Sequence, residues 1–464
     1  MRHGEFDPPS MVPYRNESKY GLAAYPHERY SAVSLEGARQ SITLLKNHEG
    51  TLPLRVARDR RVAMFGCLIH TRRTGGLVYS DCHVAATAGY DSASQSGPLK
   101  TTPTPDAALR ALGYNATFVN ASFTEISGGY VLSAQGAQTV AAAAAAADIN
   151  VVFVGRAGKE GESGSWCQVR TCGDNSDLQL PSEQRELLSH VLGSGKPVVL
   201  VLFNTNPLDL ASVMDGAAAI VHAFYPQQWA GTAVADILSG RSVPAGRMPY
   251  SWVRNLNDTG SISNYTMTGT SKTYRYQLPH KEPPLFPFGF GLSYSKFEYS
   301  SLSIHPSAPS TCDNITVTAT VTNVGDVDAD EVVQVFATFD KGAPLPSPYR
   351  QLVAFERLHT RAGTSQNVEL SIPPARLALV DDTKAVGGNL PVRMVVPLAM
   401  QLSLGGQQPE QATTAPSNVL STPLVIHGAS VPLDTCGRRV PIISGPALMD
   451  ASPSSHATSY SILG

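Results

Sequence analysis

The sequence carries no excess of charge of either sign. Thirty-five Lys and Arg against 37 Asp and Glu leave a formal net charge of −2, and only 16% of the 464 residues are charged. A chain so balanced has no bulk attraction for nucleic acid or for an acidic lipid surface, so neither partner is expected. Also missing is an apolar run of about 18 residues, which leaves no hydropathy signal for a membrane-spanning helix. The longest run of small residues, Ala141 to Ala147, reads as a packed helix. Cysteine is scarce. Six residues in this length are too few for a disulfide scaffold. Cys167 and Cys172 sit close together in a polar loop and suit a local disulfide. Zinc is disfavoured there, because no His or second Cys pair lies nearby. Cys67, Cys82, Cys312 and Cys436 stay open between free and paired thiols. The twelve His show no ligand-like spacing, so no metal or cofactor is expected. The residues after Met1, RHGEFDPP, lack the basic and apolar regions of a signal peptide, and none is expected within this sequence. No phosphate-cradling glycine motif follows a strand, which argues against nucleotide binding.

What is present describes a globular protein of two to four domains, 42% apolar. Residues 1–30 read as a linker. Leu35, Ala38, Ile42 and Leu45 recur at helical spacing behind a Ser34 cap. From there RVAMFG (61–66), NVVFVG (150–155), PVVLVLF (197–203) and AAIVHAFY (218–225) read as buried strands. They alternate with helices at 141–147, 182–193 and 230–240; Ser182 is the expected cap of the second, and Gly193 and Gly240 close the second and third. Continuous apolar strands alternating with helices predict a mostly parallel α/β sheet covered on both faces. After about residue 295 the period changes to two. In NITVTATVTN (314–323), Ile315, Val317, Ala319 and Val321 share one face, and EVVQVFATF (331–339) and NVELSI (367–372) follow. That pattern predicts an antiparallel sandwich. Residues 406–464 are polar and weakly periodic and read as a poorly ordered tail, pinned at most near Cys436. Asn16, Asn115, Asn120, Asn257, Asn264 and Asn314 each open an Asn-x-Ser/Thr sequon, which points to the cell exterior.

Longer motifs add a resemblance. GEFDPP (4–9), LEGARQSITLLKN (35–47) with TLPL (51–54), FYPQQWAGTAVADILSGRSVPAGRMPYSW (224–252) and PLFPFGFGLSY (284–294) occur in this order. EVVQVF (331–336), QLVAFERLHTRAG (351–363) and LALVDD (377–382) follow. Together, over roughly residues 1–405, they resemble glycoside hydrolase family 3, nearest its β-xylosidase and α-L-arabinofuranosidase branch. The resemblance implies a mostly parallel α/β sandwich domain at 31–255. A connecting segment with FPFGFGLSY at 256–300 and a fibronectin-III-like antiparallel β-sandwich at 301–405 come next. It also implies that the family's N-terminal barrel, with its nucleophilic Asp, is missing, so no residue here is that nucleophile. The barrel is then the expected packing partner, and a carbohydrate is the expected substrate. The implied activity is retaining, exo-acting hydrolysis of β-linked sugars, most specifically xylan-derived oligosaccharides, by a secreted enzyme. This chain alone should be inactive.

Such chemistry needs two carboxyl groups about 5–5.5 Å apart, one as nucleophile and one as acid and then base. The acid keeps its proton only where burial or a neighbouring charge raises its pKa. In the family the acid/base Glu lies on the loop after the strand written here NVVFVG. That loop is RAGKEGESGSWCQVRTCGDNSDLQLP (156–181). Glu160 matches the family's first Glu and is the expected acid/base, with Glu162 in reserve. Asp174 matches the family Asp, since Leu178 and Leu180 follow at the family's distance. The Arg that follows in the family is Asn175 here, and about a dozen residues are inserted after Glu162, which unsettles the loop's geometry. Trp166 either stacks on a sugar face or covers the loop's own core, and Arg156 either pairs with a loop carboxylate or faces solvent. Phe286, Phe288, Phe290 and Tyr294 at period two suit a buried extended segment, and Arg247 either bridges domains or forms a surface ion pair. The competing reading is a non-catalytic, carbohydrate-associated or structural module, motivated by the missing nucleophile and the altered loop.

Overall fold

The computed structural model describes residues 8, 11–12, 15, 28–55, 60–66, 71–74, 77–80, 103–126, 129–155, 177–226, 229–261, 263–267, 272–277, 283–383, 390–410 and 418–436. Its first sheet contains β1 (Thr43–Asn47), β2 (Arg61–Phe65), β5 (Asn115–Phe118), β8 (Ile149–Gly155), β9 (Val198–Phe203) and β10 (Ala219–His222). Two small hairpins intervene, β3 (Thr71–Thr74) with β4 (Leu77–Ser80), and β6 (Phe123–Ile126) with β7 (Gly129–Leu132). The sheet order is β1-β10-β9-β8-β2-β5, parallel throughout except for β1. Every residue of β8 and β9 is buried, as an apolar run between two covered faces requires. Alternate side chains feed two cores. Val151, Phe153, Val201 and Phe203 meet α1 (Glu28–Ser41), α2 (Pro105–Ala111) and α5 (Ala230–Ser239). Val152, Val154, Leu200 and Leu202 meet α3 (Ala134–Ala146) and α4 (Ser182–Leu192). Local chemistry sets the helix ends. Ser133 caps α3 by accepting from the Gly136 N–H, and Gly240 ends α5 at φ +78. The expected cap Ser182 is instead the first residue of α4, after Pro181.

Two helices differ from their expected bounds: the one expected at 141–147 begins earlier, as α3 at Ala134, and the first helix differs more. The helix expected to start at a Ser34 cap and carry Ile42 and Leu45 instead begins at Glu28 and ends at Ser41, and Ser34 lies inside it. Ile42, Thr43, Leu44 and Leu45 are all buried, at 3% exposure or less. Four consecutive buried residues fit no single helix face, but they fit β1, which pairs antiparallel with β10 at the sheet edge.

The second half is an antiparallel sandwich. One sheet is β11 (Phe297–His305), β12 (Ile315–Asn323) and β15 (Ser365–Ile372). The other is β13 (Ala329–Phe339), β14 (Arg350–Thr360), β18 (Leu398–Gly405) and β19 (Val419–Ile426), in the order β14-β13-β18-β19. A third, short sheet joins β16 (Leu379–Asp381), β17 (Val392–Val395) and β20 (Val431–Pro432). The alternation in β12 appears as expected, with Ile315, Val317, Ala319 and Val321 all at 3% exposure or less.

The expected tail at 406–464 is corrected over 418–436. β19 pairs with β18 along its whole length, from Gly405↔Val419 to Leu398↔Ile426. Pro423 disguises it, because proline is tolerated on an edge strand and reads as a loop signal. A disulfide then joins Cys312 to Cys436 across 124 residues. Closing a loop of that length removes unfolded-chain entropy worth roughly 5 kcal/mol. The Cys312→Ser/Cys436→Ser variant is expected to lose stability of that order in chemical denaturation. An unchanged midpoint would mean that β19 is held by its ladder alone.

The two halves meet along the FPFGFG segment. Trp252 bridges Phe286, and Leu44 bridges Leu292. Phe286 and Phe290 join the core around Trp252, while Phe288 faces the other way, stacked on Tyr274 at 4.0 Å and edge-on to Phe336 at 6.4 Å. A Cβ at Gly289 (φ +79) would lie 2.3 Å from Gln334 Oε1. Gln334 Nε2 instead donates to the carbonyls of Gly289 and Gly406, both at 3.0 Å. Arg247 takes the bridging role: its guanidinium meets the buried Glu331 at 2.7 Å and is itself only 11% exposed.

Candidate active site

The chain order defines a switch point at the carboxyl edge of the first sheet. From β2 the chain moves outward to β5, then returns to the opposite side of β2 for β8, β9 and β10. The direction reverses between β2 and β8, and ligands of open α/β sheets bind at the carboxyl ends of strands beside such a switch point. Each strand meets a glycine there: Gly66 follows β2, and Gly155 ends β8. Gly66 has φ +118, and a Cβ on it would lie 2.2 Å from the Phe153 carbonyl oxygen. At Gly155 it would lie 1.8 Å from that of Phe203. Neither position accepts a side chain without moving the neighbouring strand.

Gly155 is where the 156–176 segment begins, and both ends of that segment are anchored. The Gly155 N–H donates to the buried Gln184 Oε1 at 2.8 Å, tying the end of β8 to α4. On the return, the Asp209 N–H donates to the Leu178 carbonyl at 2.7 Å, and Gln179 Nε2 donates to Asp209 Oδ2 at 2.7 Å. Leu180 is buried at 4% exposure, just before α4 begins at Ser182. The residues named from the sequence, Arg156, Glu160, Glu162, Trp166 and Asp174, lie outside the described residues, as do Cys67, Cys82, Cys167 and Cys172.

Sequence reasoning missed a buried polar group at the same edge. His222 ends β10, is fully buried, and its Nε2 lies 2.9 Å from the Asn204 carbonyl just beyond β9. Its ring packs on Phe224 at 3.9 Å and edge-on to Trp252 at 5.2 Å. Phe224 is one of few non-glycine residues at positive φ, here +54. Burial pushes the His222 pKa down to about 4, against an upward pull from the Asn204 hydrogen bond. The neutral ring therefore donates from Nε2 and leaves Nδ1 as an acceptor without a partner. Burial, with Tyr225 nearby, also raises the Tyr250 phenol above its ordinary range. The only signal in the sequence was a His inside an apolar strand.

The histidine makes stability depend on pH. Its pKa is 6.5 in the unfolded chain and about 4 in the folded one, so the unfolded state binds more protons between these values. The contribution is complete above pH 6.5 and is lost as pH falls towards about 4, for a total of about 3 kcal/mol. His222→Gln keeps a donor for the Asn204 carbonyl and does not titrate. It is expected to flatten this part of the denaturation free energy measured against pH. Parallel wild-type and variant curves would refute the assignment.

Among the described residues no cluster of three or more His, Cys, Asp or Glu is suited to a metal ion, and no helix is long and apolar enough to cross a membrane.

Residues 42–294 match the family model for the glycosyl hydrolase family 3 C-terminal domain, and residues 331–393 match a fibronectin type III-like domain. A beta-xylosidase of Formosa agariphila is 28% identical over 348 residues, which is 74% of this chain and 45% of that protein. A probable beta-glucosidase L of Aspergillus terreus is 29% identical over 360 residues, 72% of this chain and 47% of that protein. The chain thus spans about half the length of the curated relatives it matches. The crystal structure of a Bifidobacterium adolescentis family 3 beta-glucosidase superimposes with a TM-score of 0.70 at 23% identity, over 89% of this chain and 56% of that one; at that identity the likeness shows the fold.

Proposed function

Because the chain belongs to glycosyl hydrolase family 3 through its C-terminal domain, we propose that it supplies the acid/base half of a retaining β-glycosidase site. Glu160 is the acid/base in this reading, and a barrel domain not contained in these 464 residues supplies the nucleophilic Asp. The observation that carries the reading is where the 156–176 segment leaves the fold: the carboxyl end of β8, beside the switch point, with both ends anchored. A carboxyl group on such a loop can reach a sugar held between two domains.

In the first step Glu160 donates its proton to the glycosidic oxygen as the anomeric carbon–oxygen bond breaks, and the Asp carboxylate bonds to that carbon. In the second, the Glu160 carboxylate takes a proton from water, whose oxygen attacks the anomeric carbon and releases the Asp. Trp166 offers an apolar ring face to sugar C–H groups, with Asp174 and Arg156 alongside as contacts. β-Xylosides from xylan are the proposed substrates. The proposed location is extracellular: Asn115, Asn120, Asn257 and Asn264 are exposed and open to glycosylation.

The test compares kcat/KM for aryl β-xyloside and aryl β-glucoside in the enzyme that includes the barrel domain. A preference for xyloside of about tenfold or more is expected, as a pocket shaped against one extra hydroxymethyl group can give. The reverse preference makes the enzyme a β-glucosidase. Turnover of neither leaves the non-catalytic, carbohydrate-associated module.

A further inference from the structure

A cavity of about 500 Å³ opens on the sandwich half, between Tyr276 and the connection from β13 to β14. Its size falls within the range of small-molecule sites. Tyr276 and Tyr349 line it, together with Asp340, Lys341 and the stretch from Pro344 to Pro348. Each tyrosine ring is backed by a guanidinium: Arg275 lies 5.9 Å from the centre of Tyr276, and Arg350 lies 5.3 Å from that of Tyr349. Neither arginine lines the cavity, whereas both tyrosines do.

The walls are built in advance. The Tyr349 hydroxyl donates to Glu410 at 2.9 Å, and the Phe339 N–H donates to the Tyr349 carbonyl at 3.0 Å. Arg350, itself buried, donates to Gln408 at 2.9 Å, and its N–H donates to the Arg275 carbonyl at 3.1 Å. Pro344, Pro346 and Pro348 fix their own φ and lose little freedom when a ligand binds.

At the rim, Asp340 and Lys341 are exposed, and neither side chain makes a hydrogen bond or ion pair among the described residues. Their charges are opposite and adjacent, so a strongly anionic or cationic ligand gains nothing net. A neutral polyol can donate hydroxyls to the carboxylate and accept from the ammonium. Two aromatic rings beside such a pair suit the C–H faces of successive pyranose units.

We propose that this cavity is a second carbohydrate subsite, which holds a neutral β-linked oligosaccharide on the sandwich half, apart from the switch point of the first sheet. The choice of a sugar rests on the glycosidase reading; the cavity, its rings and its charges do not.

The test is calorimetric titration of the 464-residue chain with xylohexaose and with cellohexaose. Binding with a millimolar or lower Kd is expected for at least one of them. Tyr276→Ala and Tyr349→Ala are each expected to weaken it about threefold to tenfold. Tyr349→Phe keeps the platform and should retain binding, and so should Glu160→Gln. Asp340→Ala, at an exposed position, should weaken binding without touching the fold. In the enzyme with its barrel, all four cavity variants should hydrolyse a small aryl β-xyloside at the wild-type rate. Failure of the Glu160 assignment would therefore leave this result standing, and the reverse holds too. No heat with either sugar at about 10 mM overturns the proposal. So does undiminished binding by Asp340→Ala together with a Tyr276→Ala/Tyr349→Ala double variant that melts like wild type.

Discussion

In the enzyme that includes its barrel domain, Glu160→Gln is expected to lower the hydrolysis of xylobiose by about 10²- to 10⁴-fold, the range that general acid–base catalysis contributes. The xylose expelled from xylobiose is a poor leaving group as an alkoxide, so the first step depends on the proton from Glu160. A dinitrophenyl β-xyloside leaves as a stable phenolate and needs no proton. With that substrate the first step should survive in the variant while the second stalls without a base. The expected record is a burst of phenolate followed by slow turnover. Azide should restore the turnover, because an anionic nucleophile attacks the covalent intermediate without giving up a proton. The alkaline limb of the wild-type pH profile, where the acid loses its proton, should disappear as well. If Glu162→Gln gives this pattern and Glu160→Gln does not, the role moves to Glu162. If neither does, the acid/base is neither Glu160 nor Glu162.

Glu331→Ala is expected to lower stability by about 3–5 kcal/mol, because it strands a cation at the junction of the two halves. Arg247 is 11% exposed and Glu331 4% exposed, and they meet at 2.7 Å. Arg247 also donates to the Gly291 carbonyl at 3.0 Å, and the Tyr299 hydroxyl donates to the other Glu331 oxygen at 2.7 Å. Burial, together with the Glu331 charge, holds the Tyr299 phenol well above its ordinary range, so it stays a donor at any physiological pH. Arg247→Met alone should cost a similar amount by leaving the carboxylate unpaired. The Arg247→Met/Glu331→Leu double variant should cost far less than the sum, since replacing a whole buried pair by apolar groups is often close to neutral. Urea denaturation of the four proteins completes the cycle. Additive losses would mean that the pair is not coupled and that the FPFGFG contacts alone hold the halves together.

Much of the architecture was already legible. The alternation of Ile315, Val317, Ala319 and Val321 survives unchanged as the inner face of β12, and the unbroken apolar runs of β8 and β9 became fully buried parallel strands. Period and run length report how many faces of an element are covered, and each is written in residues a few positions apart. The motifs reached the family and pointed to the loop after β8. The sequence could not show that β2 and β8 flank the switch point, because strand order depends on crossovers and not on local pattern.

What only the tertiary structure decided are pairings across long separations. Thr43 to Asn47 turned from helix to strand because β10, far along the chain, offers an open edge. Val419 to Ile426 left the presumed tail because β18 accepts a proline-bearing edge strand. Arg247 found Glu331 across 84 residues, and Cys312 found Cys436 across 124. Nothing near Arg247 or Cys312 in sequence announces its partner. The sequence by itself determined which segments are strands and helices and which family they belong to. The tertiary structure decided which edges pair, which charges meet and where His222 is buried, since those depend on the neighbours that the folded chain brings together.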